Sequence, residues 1–70
     1  MGIFEKWKTN RNSKRQYKRT IRGLKDIRAM NQYNAAYTRE QMLNDRDYFI
    51  SAVGYSGYNA LLRALDKKLQ

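Results

Sequence analysis

Hydrophobic positions recur with a helical period along most of the chain. In residues 1–8, Ile3, Phe4 and Trp7 fall at i, i+1 and i+4, which predicts one or two turns of amphipathic helix docked on the remaining core. Residues 9–12, T-N-R-N, carry turn chemistry in Asn10 and Asn12 and predict a polar hinge. Ser13 followed by Gln16 has the spacing of a capping box, so a longer helix is expected to start at Ser13. Tyr17, Thr20, Ile21, Leu24 and Ile27 make its apolar side, and it is expected to end near Asn31–Asn34. Gly23 at the edge of that side predicts the close approach of another helix.

A second capping box, Thr38 with Gln41, opens the next predicted helix. Met42, Leu43, Phe49, Ile50 and Val53 form its stripe, with Arg46 laying an aliphatic stem across it. Gly54 fits the position just past a helix end, with Tyr55 folding back on Ile50. Tyr58, Leu61, Leu62, Leu65 and Leu69 then give a last stripe, opposed by Asn59, Arg63, Asp66 and Lys67. No strand-like alternation occurs. The expected fold class is all-α: a basic N-terminal arm and a long basic amphipathic helix in residues 1–37, followed by an antiparallel αα-hairpin in residues 38–70, in a single compact unit.

Charge changes this picture more than composition does. Seventy residues suffice for one domain near the lower limit for a self-sufficient core. The net charge of +9 lies almost wholly in residues 1–28, where ten Lys and Arg stand against Glu5 and Asp26. In residues 29–70 five cations face four acids. At 100° per residue, Lys14, Arg15, Lys18, Arg19, Arg22 and Lys25 share an arc of about 140° and a length of about 16 Å. A solvated face would interleave glutamates, whereas these cations repel one another at i, i+4 spacing. The expected partner is a polyanion, contacted through phosphates without base readout. Lys6, Trp7, Lys8 and Arg11, together with Tyr55 and Tyr58, are secondary candidates for basic or partner contacts.

Three functions compete for such a face. The leading expectation is a small nucleic-acid-binding or packaging accessory protein that forms a homo-oligomer or an obligate complex. The alternative is an interaction module or inhibitor that docks on an acidic face of a larger protein. The third is a peripheral binder of anionic membrane, using Ile3, Phe4 and Trp7. Catalysis is not expected, because His and Cys are absent and Asp45 and Asp47 stand two apart on a helix, where they do not face each other. No cofactor or metal is expected either. The predicted turn V-G-Y-S-G-Y, Val53 to Tyr58 with Gly54 and Gly57, has only a superficial likeness to a helix-turn-helix, since Leu61 and Leu62 occupy the helix that would have to face a groove. With no transmembrane run or signal peptide, a cytoplasmic location is expected, or a virion-associated one for a phage protein. A short, basic, proline-free helical chain suits accessory proteins of bacteria, phages and mobile elements, and no motif ties it to a family.

Overall fold

A computed structural model describes the backbone of residues 3–70 and the side chains of residues 14–70. The described chain is all-α: α1 (Ile3–Ala29), α2 (Gln32–Asn44) and α3 (Arg46–Leu69). At 1.5 Å per residue the 27 residues of α1 make a rod of about 40 Å. The molecule measures 46 × 21 × 14 Å, and its radius of gyration of 13.7 Å exceeds the roughly 11 Å of a compact chain this long.

The helix boundaries differ from those the sequence predicts, each for a local reason. Residues 9–12 continue α1 and form no hinge. They contain neither Gly nor Pro, and the turn preference of asparagine is too weak to break a helix carried through on both sides. Gln16 does not complete a capping box; its side-chain amide donates to the Ser51 carbonyl at 3.5 Å. α1 ends at Ala29, a little before the expected stop, and α2 starts six residues ahead of Thr38. Asn31 is the cap, its side-chain oxygen accepting from the Asn34 N–H at 2.8 Å. The hydroxyl of Thr38 instead donates to the Met30 sulfur at 3.7 Å.

The continuous helix expected over 38–53 is interrupted at Asp45, which closes α2 and precedes α3. Asn44 and Asp45 are residues whose side chains compete with the helical backbone, and the break lets residues 46–53 leave the line of α2. This reorientation brings Phe49, Ile50 and Val53 onto the core and leaves Leu43, an expected core residue, 47% exposed. α3 breaks in turn at Gly54, whose φ of +79° lies where a side chain would be strained. The helix resumes at once, so Gly57 and Tyr58 lie inside it rather than in a turn. Tyr55 is exposed and does not cover Ile50.

Three long segments therefore lie side by side. Residues 55–69 run antiparallel to α2, as the Tyr58–Met42 and Arg39–Asp66 contacts fix. They run parallel to α1, with Thr20 against Gly57, Gly23 against Leu61, and Ile27 beside Lys68. Residues 46–53 carry the chain from the end of α2 to the flank of α1. The core is Ile27, Ala35, Met42, Val53, Tyr58, Leu61 and Leu65, with Leu62 only half-buried at its margin. Gly23 has the close neighbour its position predicts: a Cβ there would stand 2.9 Å from Leu61 Cδ2. On Gly57 a Cβ would overlap the Thr20 hydroxyl, so the two glycines set the distance between α1 and α3.

Two polar contacts close the bundle. Tyr58 donates its hydroxyl to the Met42 carbonyl at 2.8 Å, one of the acceptors left over at the end of α2. Lys68 Nζ donates to the carbonyls of Ile27 at 2.6 Å and Arg28 at 2.8 Å, placing a cation on the negative end of α1.

Candidate polyanion-binding face

The cations of α1 stand outward because the opposite side of that helix is committed to α3. Gln16, Thr20, Gly23, Leu24 and Ile27 are buried or half-buried, at the i, i+4, i+7, i+8, i+11 spacing of a packed seam. Lys14, Arg15, Lys18, Arg19, Arg22 and Lys25 are all exposed. Asp26 is exposed and falls within the arc, between Arg15 and Arg19 in azimuth, and no ion pair joins it to these cations among the described residues. The ion pair found there lies elsewhere, Arg39 with Asp66 at 2.6 Å.

Arg19 differs from the other five. One of its guanidinium N–H groups donates to the Ala52 carbonyl at 3.2 Å. Ala52 and Ser51 end the first arm of α3 at the Gly54 break, so Arg19 and Gln16 satisfy carbonyls that this arm leaves free. The bond anchors the Arg19 stem and leaves further donors on its fork. Arg15, Gln16, Arg19 and Ser51 line an open notch of about 410 Å³ on this edge of the arc.

The secondary candidates separate. Tyr58 is 3% exposed and bonded to Met42, so it is a core residue and offers no ring to a partner. Tyr55 is 67% exposed and free to make contacts. Lys6, Trp7, Lys8 and Arg11 lie outside the described side chains, as does the docking expected of Ile3 and Phe4. Tyr17, assigned from its spacing to the apolar side of α1, is 67% exposed, and Ile21 is exposed beside it. Tyr17 and Tyr55 line a second groove of about 440 Å³ where α1 meets the start of the second arm of α3. Spacing alone placed Tyr17 in the core; its position at the edge between the cation arc and the apolar seam was the available signal.

No family model, curated protein or solved structure matches the chain. No helix among the described residues is long and apolar enough to cross a membrane.

Proposed function

We propose that this chain is a small nucleic-acid-binding accessory protein whose α1 lies along phosphate backbone with little sequence preference. The observation that carries the reading is the set of six exposed cations on one side of a helix whose other side is packed, with no acid paired to them among the described residues. Their mutual repulsion costs stability, and a ligand dense in negative charge relieves it. The arc offers donors at about 1.5 Å rise per residue over some 16 Å, suited to a row of phosphates and carrying no device for reading base edges.

Self-association is part of the proposal. Tyr33 and Tyr37 are 80% and 58% exposed, one turn apart on the side of α2 opposite Ala35 and Met42. α2 carries one cation and one acid, Arg39 and Glu40, so two strongly basic chains approach there with least repulsion.

Electrophoretic shift and anisotropy with unrelated DNA and RNA sequences test the reading. Binding is expected with any sequence, falling about a thousand-fold between about 50 and 200 mM salt. A saturable one-to-one complex with an acidic protein and no nucleic-acid shift would instead identify a protein-docking module. Flotation with anionic vesicles and no nucleic-acid shift would identify a membrane-surface protein.

A further inference from the structure

We propose that the groove between Tyr17 and Tyr55 receives an unpaired base of single-stranded nucleic acid whose phosphates follow the cations of α1. The inference rests on the phosphate-binding reading above and adds to it the form of nucleic acid preferred. At about 440 Å³ the groove falls within the range of roughly 300–1,000 Å³ usual for small-ligand sites. Its base is formed by Thr20, Val53 and Gly57, all buried. The Thr20 hydroxyl is already engaged with the Gln16 carbonyl at 2.8 Å, and Gly57 contributes no side chain. Among the described residues no carboxylate lines it. What it presents to a ligand is two phenol rings, on two different helices and both left largely in water, beside the Gln16 amide and the Ser56 hydroxyl.

The position of the groove relative to the charge identifies the ligand. At 100° per residue Tyr17 stands about 60° round α1 from Lys14, with the exposed Ile21 between them, so the aromatic wall lies close to the end of the cation arc. A strand with its phosphates on Lys14, Lys18 and Lys25, the three cations on the Tyr17 side of the arc, therefore has the groove along its flank, within reach of a base swung out from the backbone. Stacking on tyrosine accepts any base, which agrees with a face that lacks base-edge readout. A duplex keeps its bases inside and uses the cations alone. An apolar peptide side chain would fill the groove too, but the adjacent cations favour a ligand joining a flat ring to a phosphate.

Anisotropy with labelled oligothymidylate, a duplex of equal length and an abasic strand of equal length tests this. Tyr17→Ala and Tyr55→Ala are each expected to weaken oligothymidylate binding about 5- to 150-fold, with duplex and abasic binding and the salt slope unchanged. Tyr17→Phe and Tyr55→Phe, which keep the rings, are expected to bind as the wild type does. Unchanged oligothymidylate binding in the alanine variants, or an equal loss on strand and duplex, would overturn the groove and leave the phosphate reading standing. Wild-type protein that binds the abasic strand as tightly as oligothymidylate would overturn it without any variant. Wild-type protein that binds none of the three would overturn both readings.

Discussion

Gly57 shows how much of this fold turns on a missing side chain. In an exposed helix interior, glycine to alanine is stabilising by about 1 kcal/mol, because alanine restricts the unfolded chain and suits the helix. At Gly57 the added methyl would overlap the Thr20 hydroxyl and come within 2.9 Å of Val53 Cβ, and both neighbours are buried. Overpacking of this kind costs about 1–3 kcal/mol, so the clash outweighs the propensity. Gly57→Ala is expected to lower the urea midpoint, whereas Gly23→Ala should lose less, because it meets the movable end of Leu61. A Gly57→Ala protein as stable as the wild type would mean that α1 and α3 are not in contact there. The sequence singled out Gly23 for its place on the apolar edge but read Gly57 as part of a turn. The difference is physical: Gly54 alone absorbs the change of direction, and nothing in the pattern V-G-Y-S-G-Y says which glycine does so.

At the scale of the elements, the last turn of α1 is held by the last turn of another helix. Lys68 places its ammonium on the carbonyls of Ile27 and Arg28, 41 and 40 residues away in the chain, and joins the last turn of α3 to the last turn of α1. Hydrogen bonds to a charged group contribute about 1.5–3 kcal/mol where they are shielded, and less where water competes. Lys68→Gln is expected to lower stability by about 1–2 kcal/mol in urea unfolding, with the exposed Lys67→Gln as an unchanged control. Equal effects at the two positions would remove Lys68 from its capping role. The stripes carried by Thr20, Leu24 and Ile27 and by Tyr58, Leu61, Leu62, Leu65 and Leu69 were legible in the sequence because no helix break interrupts either of them. The region from 31 to 53 was not. There Asn31, not Thr38, carries the cap, and the break at Asp45 allows two short helices to share a stripe that reads as one. Leu43 lost its expected burial to that break, while Met42, one residue earlier, kept it.

For the whole molecule, the cation arc and the exposed Tyr33–Tyr37 pair lie on different helices, α1 and α2, and each predicts a separate behaviour. The face of α2 that bears Tyr33 and Tyr37 is expected to join two copies, so sedimentation at micromolar concentration should show a species heavier than the monomer. Replacing both tyrosines with lysine should return the chain to a monomer; wild-type protein that is already monomeric would contradict the assignment. Of the candidate site, the cation arc was legible from spacing alone, because a helix fixes which residues share a face. The groove was not, since it needs α3 to close it. The central claim concerns the arc, and salt-dependent binding of the variant with Lys14, Arg15, Lys18, Arg19, Arg22 and Lys25 all changed to Gln tests it most directly. Gln is nearly as good a helix former and removes the like-charge pairs, so the helix content should hold, with Arg19→Gln giving up one bond to Ala52. Wild-type protein is predicted to show a slope of log affinity against log salt near −5, from about 0.9 per phosphate contact, and the variant a slope near zero with binding all but lost. A folded variant that binds nucleic acid with the wild-type affinity and slope would contradict the account.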